Sequence, residues 1–307
     1  MIYTVTLNPS IDYHVWIPAL EAGTIQQAEK EWKDAGGKGI NVSKVLRNLG
    51  LDSVALGFAG GFTGAFITQQ LERQGITHRL IPIPYDTRIN LKIKGQSETD
   101  ISGVSPEIPP AAMDQLYEQL DLLTSEDILV LAGSVPRSLP EDLYQQIMQR
   151  LKPRKVRIFL DAKGKALARG IRAEPFLIKP NHLELGELYG VTIESLEEAV
   201  HYGRRAQAEG AQHVLVSMGG AGAVLVTREA AWMARIPPRE PVNTIGAGDS
   251  MVAGFLYALT KELELPEALR FAVAAGSATA LSEGLCTRET IELFLPEVSI
   301  DRMGREG

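Results

Sequence analysis

The stretch "NTIGAGDSMVAG" (243–254) places glycines around a single carboxylate and continues as an apolar run that predicts a helix. Gly246 and Gly248 carry no Cβ, so a ligand can approach the backbone closely there. If the helix begins at Ala247, the N–H groups of all three residues converge on one point, where the helix dipole favours negative charge. The stretch therefore predicts an anion site, with Asp249 in the first helical turn.

Asp249 admits two interpretations from these residues alone. Aspartate is a common helix-capping residue, and a capping carboxylate would have no chemical role. Beside an anion site of phosphate size, however, the same carboxylate suits phosphoryl transfer. The amides would stabilise the transferred group while the carboxylate accepts the proton of the attacking hydroxyl.

The triplet Gly248-Asp249-Ser250 also resembles the "GDS" block of a class of serine esterases, in which Ser250 would be the nucleophile. That chemistry needs a histidine base, which those enzymes carry near the C-terminus. The sequence has no histidine after His213, and the triplet lies in its last third rather than after the first strand. An esterase is therefore disfavoured.

Two nucleotide-binding signatures do not match the sequence. The Walker pattern requires Gly-Lys-Ser/Thr, but Lys38 is followed by Gly39. The dinucleotide fingerprint should follow an early strand, whereas the first strand-like run ends at Asn8-Pro9. The segment "GGAGAV" (219–224) lies between two strand-like runs, so it predicts a glycine turn where the backbone approaches a flat ligand.

Composition and charge exclude several classes of protein. The 307 residues include 31 Lys and Arg against 38 Asp and Glu, a net charge of -7, which argues against a nucleic-acid partner. The single cysteine, Cys286, excludes an internal disulfide framework and a multi-cysteine metal site. No signal-peptide pattern or apolar run of the roughly 20 residues that span a bilayer is present. We expect a cytoplasmic protein with no membrane partner.

Short apolar runs that alternate with amphipathic helical segments dominate the middle of the chain. The runs "DILVLAGS" (127–134), "VRIFLDAK" (156–163) and "HVLVSMGG" (213–220) lack the period-two alternation of half-exposed strands. They predict a mainly parallel sheet that helices cover on both faces. The later stretch "AVLVTREAAWMARI" (223–236) predicts a hairpin.

Two further stretches, near 13–35 and 87–101, do not fit a sheet covered on both faces. In "TRINLKIKG" (87–95) apolar and polar residues alternate, which is typical of a half-exposed strand. We predict one domain over 1–307 with a small β-layer inserted from about 13–35 and 87–101. This layer would serve as a lid or an interface, and its apolar face favours dimerisation.

The blocks "GGKGINVS" (36–43) and "NTIGAGDS" (243–250) together resemble the two signatures of the ribokinase-like carbohydrate kinases of phosphofructokinase B type. The resemblance covers nearly the whole chain, and the pair in this order is more specific than either block. The opening "TLNPSIDY" (6–13) resembles the branch that acts on phosphorylated ketohexoses. Within it, "TRINLKI" (87–93) is similar to bacterial 1-phosphofructokinases, with tagatose-6-phosphate kinases as the nearest alternative.

This resemblance implies a three-layer α/β/α fold with a mainly parallel central sheet, a small β-sheet lid and a homodimer formed through the lids. It implies ATP as the phosphate donor, Mg²⁺, and D-fructose 1-phosphate as the acceptor at its 6-hydroxyl. Asp249 would be the catalytic base and residues 246–248 the anion site. A sugar-phosphate or nucleotide sensor that has lost turnover is the alternative outside catalysis.

The resemblance also assigns contacts to the sugar. Asp12 would accept hydrogen bonds from sugar hydroxyls, as an ionised carboxylate does well. Gly36 and Gly37 would let the backbone approach the sugar, and Asn41 would bind another hydroxyl. Ser134 in "AGSVP" matches a family position near the sugar, although a turn serine is the competing interpretation.

The phosphate of the substrate requires cations, and Lys38 and Arg88 are the candidates. Asn90 and Lys92 share a strand face with Arg88 because side chains alternate along a strand. Relatives that act on unphosphorylated sugars also carry the lysine of "GGKG", so Lys38 does not diagnose a phosphosugar. Lys92 has a competing interpretation as a solvated lid residue.

The segment "KPNHLE" (179–184) resembles the Asn-x-x-Glu element of the family, which organises the metal and the phosphates through water. This assigns Asn181 and Glu184 to the metal and Lys179 to the nucleotide. A capping asparagine followed by a surface glutamate is the alternative. In "LDAKGKAL", Lys163 replaces the serine or threonine of relatives, which leaves its role open between a phosphate contact and an exposed side chain.

A glycine-rich turn and a late helix complete the predicted nucleotide site. The resemblance assigns these further residues to ATP: Ser217, Gly219, Gly220, Gly222 and Gly276.

Overall fold

The structure is a computed structural model that describes residues 1–96 and 98–303. Its strands, in chain order, are β1 (Ile2–Thr6), β2 (Ser10–Trp16), β3 (Lys30–Gly36), β4 (Ser53–Gly60), β5 (Thr77–Ile83), β6 (Ile89–Lys94), β7 (Thr99–Ile101), β8 (Ile128–Ala132), β9 (Arg157–Asp161), β10 (Leu177–Ile178), β11 (His213–Ser217), β12 (Ala223–Val226), β13 (Ala231–Arg235) and β14 (Ser299–Met303). Its α-helices are α1 (Lys38–Asn48), α2 (Gly61–Arg73), α3 (Pro110–Leu120), α4 (Leu143–Leu151), α5 (Gly164–Ile171), α6 (His182–Tyr189), α7 (Leu196–Ala208), α8 (Ala247–Thr260), α9 (Leu265–Ala280) and α10 (Arg288–Phe294).

The larger of two sheets runs in the order β14-β13-β12-β11-β10-β9-β8-β1-β4-β5. From β5 to β11 all neighbours are parallel, and β12 to β14 extend the sheet antiparallel. The predicted mainly parallel sheet is therefore confirmed. The predicted hairpin is also present as β12 and β13, in which Val226 lies opposite Ala231.

Helices cover both faces of this sheet, which confirms the three-layer architecture. Leu129 and Leu131 of β8 point into a core shared with α3 to α7. Ile128 and Val130 point into the opposite core, formed with α1, α8, α9 and α10. Apolar side chains thus occupy both faces of one strand, which is why its sequence lacks alternation. No helix in the described ranges has the length and apolar content needed to cross a membrane.

The small sheet has the strand order β3-β2-β6-β7 and is separate from the larger one. Ile11 of β2 and Ala35 of β3 pack against α2, so one part of one face is buried. The strands are shorter than the sequence patterns suggest, because residues 17–29 between β2 and β3 form none. Pro18, which has no N–H to donate, is the second residue after β2 in this interval.

The carboxyl ends of the parallel strands meet at one edge of the larger sheet. Strand β1 pairs with β4 on one side and with β8 on the other, so the strand order reverses there. In open α/β sheets, ligands bind at such a reversal, outside the carboxyl ends of the strands. Asp161, Lys179 and Ser217 lie at or just beyond the ends of β9, β10 and β11 on this edge.

Candidate active site

Helix α8 begins at Ala247, as the glycine-rich stretch predicts. Gly246 precedes it with φ of 79°, in the left-handed region that favours glycine. The N–H of Ser250 donates to Gly246 O at 2.8 Å and starts the helical hydrogen-bond ladder. This local geometry places the Asp249 carboxylate in the first turn, where it is 5% exposed.

The amides that precede Asp249 differ in their availability to a ligand. The N–H of Ala247 donates to Thr244 O at 3.3 Å, so it is already partly engaged. Within residues 1–96 and 98–303, no protein acceptor is found for the N–H groups of Gly246 and Gly248. Of the three amides predicted to be free for a ligand, only those of Gly246 and Gly248 are free in the described structure.

The carboxylate of Asp249 is not a helix cap, since its hydrogen bond comes from another helix. Asn41 Nδ2 of α1 donates to Asp249 Oδ2 at 2.8 Å. Burial, followed by the charge of Asp161, raises the pKa of Asp249 to about 6. A buried carboxylate that titrates near the working pH suits a general base.

The esterase interpretation of Ser250 finds no support in the structure. Ser250 is fully buried, and its Oγ lies 2.7 Å from Thr279 Oγ1 in a hydrogen bond between α8 and α9. A nucleophile must be accessible and adjacent to a base. The hydroxyl of Ser250 therefore joins two helices.

Near Asp249 lies an ionic cluster of the buried Asp161 and Lys179 with Lys38, whose side chain is partly exposed to the polar cavity described below. Lys38 Nζ donates to Asp161 Oδ1 at 2.7 Å, and Lys179 Nζ lies 3.4 Å from Asp161 Oδ2. Burial raises the pKa of Asp161, but Lys179 and Lys38 outweigh burial and hold that pKa below its ordinary value. Burial lowers the pKa of Lys38, but neighbouring carboxylates, Asp161 first, raise it above its ordinary value.

Asp161 is a residue that the sequence analysis missed. Its position at the end of a buried strand, in "FLDAK", was the available signal, because such ends line the ligand-binding edge of an α/β sheet. The sequence analysis considered only the neighbouring Lys163.

A polar cavity of about 580 Å³ opens between the small sheet, α1 and the start of α8. The structure brings together most of the predicted sugar, phosphate and metal residues in its lining, together with Lys92 and Lys163. The predicted members are Asp12, Gly37, Lys38, Asn41, Arg88, Asn90, Ser134, Lys179, Asn181, Glu184, Ser217, Gly246, Gly248 and Asp249. Gly36 lies directly behind it, where a Cβ would overlap the carboxylate of Asp12.

A second, apolar cavity of about 540 Å³ adjoins the first and collects the predicted nucleotide residues. The apolar side chains of Ile236, Met251 and Val273 lie in its lining. The predicted members are Asn181, Ser217, Gly219, Gly220, Gly222, Ala247, Gly248 and Gly276. The two cavities share Asn181, Ser217 and Gly248, so they meet at the start of α8.

Gly276 has a packing role besides lining the apolar cavity. A Cβ at this position of α9 would lie 2.6 Å from Met251 Cγ and 3.3 Å from Ala247 O. Those distances are too short for a side chain, so glycine lets α9 approach the first turns of α8. Gly276 therefore lines the cavity predicted for the adenine and also allows α9 to pack closely against α8.

Asp12 and Asn90 form a pair across β2 and β6 in the polar cavity. Asp12 Oδ1 accepts hydrogen bonds from Ser10 Oγ at 2.8 Å and from Asn90 Nδ2 at 2.9 Å. These bonds orient the carboxylate and leave Oδ2 for a ligand. Asn90 Oδ1 accepts from the N–H of Gly103 at 3.2 Å, so Asn90 holds Asp12 in place instead of offering free donors.

Arg88 and Lys92 differ in how they are held on this strand face. Arg88 Nη2 donates to Asn8 O at 3.1 Å, and Nε is buried without a partner among the described residues. Burial lowers the pKa of Arg88, against the opposing charge of Asp12. Lys92 Nζ donates to Asp100 Oδ2 at 2.6 Å with its side chain 14% exposed, which disfavours a solvated lysine.

Ser134 and Lys163 line the polar cavity from the segments that follow the adjacent strands β8 and β9. Ser134 Oγ accepts from Asn8 Nδ2 at 3.1 Å. Lys163 precedes the first residue of α5, and no ion pair to a carboxylate is found for it in the part of the chain that the structure describes. The side chain is exposed at the cavity, which is compatible with either predicted role.

Asn181 and Glu184 form a capping box at the start of α6. Glu184 N–H donates to Asn181 Oδ1 at 2.7 Å, and Asn181 N–H donates to Glu184 Oε2 at 3.0 Å. The capping alternative therefore describes their bonds correctly, but Glu184 is 13% exposed at its side chain and is not a surface residue. Its Oε1 lies 4.0 Å from Lys38 Nζ and remains open to the polar cavity.

The side-chain oxygen atoms of Asn181 and Glu184 fit a Mg²⁺ ion whose other ligands are mainly phosphate oxygens and water. Within the described ranges, no group of three or more acidic, histidine or cysteine side chains could enclose a metal. Mg²⁺ commonly binds through one or two carboxylates plus substrate phosphates and keeps several waters. Glu184 Oε1 supplies one such carboxylate oxygen, and the second lone pair of Asn181 Oδ1 lies beside it.

A buried carboxylate, two lysines and a pair of free amides thus lie where a polar and an apolar cavity join. This is the arrangement of an enzyme that transfers phosphate from a nucleotide to a hydroxyl group. Residues 5–291 match the model of the pfkB family carbohydrate kinases. The chain belongs to this family, as its two signature blocks indicate, and is a kinase that phosphorylates a sugar hydroxyl.

Individual relatives agree in fold and length. A 1-phosphofructokinase of Bacillus subtilis (strain 168) is 47% identical over 303 residues, covering 99% of this chain and 100% of the relative. A D-tagatose-1-phosphate kinase of Bacillus licheniformis is 36% identical over 304 residues, covering 99% and 100%. The structure of phosphofructokinase-2 from Escherichia coli in complex with substrates and products has a TM-score of 0.91 at 28% identity, covering 96% of this chain and 98% of that one.

Replacement of Asn41 by leucine should move the acid limb of the kcat/KM–pH profile to higher pH, if Asp249 is the base. The base must be ionised, so activity falls as pH drops through the Asp249 pKa of about 6. The hydrogen bond from Asn41 stabilises the ionised form, and its loss raises that pKa further. An unchanged acid limb in Asn41→Leu would show that this hydrogen bond does not tune the base.

Proposed function

We propose that the enzyme transfers the terminal phosphate of ATP to the 6-hydroxyl of D-fructose 1-phosphate and releases fructose 1,6-bisphosphate and ADP. The observation that carries the proposal is the position of Asp249, a buried carboxylate at the helix start where the polar and apolar cavities meet. One cavity suits a phosphosugar and the other an adenine. Because the reaction consumes ATP, we place it in the cytoplasm.

In the proposed reaction, the sugar hydroxyl attacks the phosphorus in line with the departing ADP. Asp12 Oδ2 and the backbone at Gly37 orient the sugar, and Asp249 accepts the proton of the attacking hydroxyl. The N–H groups of Gly246 and Gly248 face the charge that develops on the transferred group.

Two lysines add positive charge at the same point. A Cβ on Gly248 would lie 3.0 Å from Lys179 Nζ, so this ammonium group sits directly against the free amides. Lys38 Nζ lies between Asp161 and Glu184 at the sugar side. Mg²⁺, held by Glu184 and water, would neutralise phosphate charge when bound.

We assign Arg88 to bind the phosphate that the sugar carries before the reaction, with Lys92 on the same face of the strand. Both line the same polar cavity as Asp249, but from the small sheet and not from α8, so a ketohexose that binds its phosphate at Arg88 can present its other terminal hydroxyl to Asp249. The two relatives described above carry the names of kinases for 1-phosphates of ketohexoses. Their names favour a phosphate at C1 over the tagatose 6-phosphate alternative.

The substrate assignment is tested with MgATP and a panel of fructose 1-phosphate, fructose 6-phosphate, tagatose 1-phosphate and tagatose 6-phosphate. We expect the highest kcat/KM for fructose 1-phosphate, measured by coupled ADP release. A higher value for either tagatose phosphate would replace the proposed substrate. Absence of ADP release with every sugar would favour the sensor without turnover.

We propose a homodimer formed through the face of the small sheet that points away from the polar cavity. On this face Tyr13, Leu91 and Ile101 lie side by side across three strands, and Ile101 is 53% exposed. Such an apolar row favours association of two copies. Ile101→Asp should convert the dimer to monomer in analytical ultracentrifugation.

The matched control for this interface is Leu293→Asp on α10, which changes an even more exposed apolar residue outside the small sheet. It should leave the sedimentation unchanged. A monomer in the unmodified protein, or a dimer that Ile101→Asp leaves intact, would move the interface elsewhere.

A further inference from the structure

We propose that Asp161 is a positioning residue that holds Lys38 and Lys179 as a pair at the transferring phosphoryl group. The proposal rests on the proposed kinase function and adds a residue to it. Asp161 lies at the carboxyl end of β9 and is 1% exposed. Its carboxylate therefore acts on the substrate only through other side chains.

The geometry of the cluster divides one carboxylate between two ammonium groups. Oδ1 of Asp161 accepts from Lys38 Nζ at 2.7 Å, whereas Oδ2 faces Lys179 Nζ at 3.4 Å and has no hydrogen bond of good geometry among the described residues. Two ammonium groups this close would repel each other without the shared anion. Asp161 thus allows the buried Lys179 and the partly exposed Lys38 to stay together.

The two lysines reach this point from different elements. Lys38 is the first residue of α1, and Lys179 directly follows β10, which pairs parallel with β9. With Asp161 between them, the cluster keeps a net charge of +1. That charge is adjacent to the free amides at Gly248, where the transferred group gains negative charge.

Loss of the carboxylate would release Lys38 toward other anions. Its Nζ is already 4.0 Å from Glu184 Oε1, and the carboxylate of Asp249 is the next nearby charge. A lysine that moves to either partner leaves the transferred group and neutralises the metal carboxylate or the base. Asp161 therefore fixes which anion Lys38 contacts.

The test compares Asp161→Asn, Lys38→Met and their combination on the full-length enzyme with fructose 1-phosphate and MgATP. We expect Asp161→Asn to lower kcat by about 10- to 100-fold, since a misplacement of about 1 Å can cost that much. The KM for both substrates should stay within about threefold. The combined variant should be slower than Lys38→Met by a smaller factor than Asp161→Asn costs alone, because only the part of the effect that passes through Lys179 remains.

A matched control is available on the surface. Asp121 also has two cationic neighbours, Arg150 and Arg154, outside the site, so Asp121→Asn makes the same chemical change without an expected effect on kcat. If Asp161→Asn does not fold because the buried Lys179 loses its anion, Asp161→Asn with Lys179→Met removes one charge of each sign. That variant is then compared with Lys179→Met alone, and the further loss of kcat should again be smaller than the loss expected for Asp161→Asn alone.

Three results would overturn the positioning role. They are independent losses that multiply in the combined variant, a KM increase with unchanged kcat, and a weaker apparent affinity for Mg²⁺, which would make Asp161 a metal ligand. Turnover of the unmodified enzyme is measured first. If another ketohexose phosphate is the better substrate, the proposed function changes while the comparison of variants continues with that sugar.

Discussion

Asp249→Asn should lower kcat for fructose 1-phosphate by about 10²- to 10⁴-fold, and Asp249→Ala by at least as much. The asparagine has the same shape and can keep a contact with Asn41, but its amide cannot take the proton of the attacking hydroxyl. The apolar cavity does not contain the carboxylate in its lining, so the affinity for ATP should change little. Steady-state kinetics and calorimetric titration with ATP measure the two quantities.

The same substitution separates catalysis from folding. Burial raises the pKa of Asp249 from an ordinary 3.8 to about 6, so the ionised carboxylate destabilises the folded state above that pH. Below pH 3.8 the group is protonated in both states and this cost is absent. Asp249→Asn should therefore raise the Tm at pH 8 relative to the parent, and the gain should disappear toward pH 4.

Near-normal turnover of a clean Asp249→Asn preparation would remove Asp249 from its role as base. A lower Tm at pH 8 would instead show that the carboxylate stabilises the folded protein, as a helix cap would. Ser250→Ala is the neighbouring control, since its hydroxyl bonds Thr279 inside the protein. It should change stability without abolishing turnover.

The features that the sequence predicted depend on local patterns. The glycines around Ala247 determine a helix start whatever the rest of the chain does, because only the backbone near them is involved. The runs of β8 and β9 are apolar at successive positions because both faces are covered, and the parallel sheet follows from that. The small sheet was recognisable for the opposite reason, since its strands alternate.

The features that the sequence analysis missed are contacts between residues that are distant in the chain. Asn41 was assigned to a sugar hydroxyl, but it donates to Asp249, 208 positions away. The bond between Lys38 and Asp161 joins residues 123 positions apart. A motif shows which residue types are present, whereas the partner of each side chain depends on how α1, β9 and α8 pack.

Arg88→Ala should raise the KM for fructose 1-phosphate by roughly 10- to 100-fold, with the KM for ATP within about threefold. Hydrogen bonds to charged groups contribute about 1.5–3 kcal/mol, and a guanidinium can bind phosphate with two parallel N–H groups. Arg88 lines the polar cavity, and among the described residues no hydrogen bond is found for Nη1, so this group can donate to a phosphate there. Initial rates at varied sugar and fixed saturating MgATP measure the effect.

Arg88 also contacts Asn8 O, so a structural loss must be separated from a lost phosphate contact. Arg88→Lys keeps the charge but cannot form the paired geometry, and its KM for the phosphosugar should fall between those of the parent and Arg88→Ala. Lys92 has its charge paired with Asp100, so Lys92→Met should raise this KM less than Arg88→Ala does. Equal increases in the KM for sugar and for ATP would indicate a general distortion of the small sheet, and the phosphate that the sugar carries would then have to bind elsewhere.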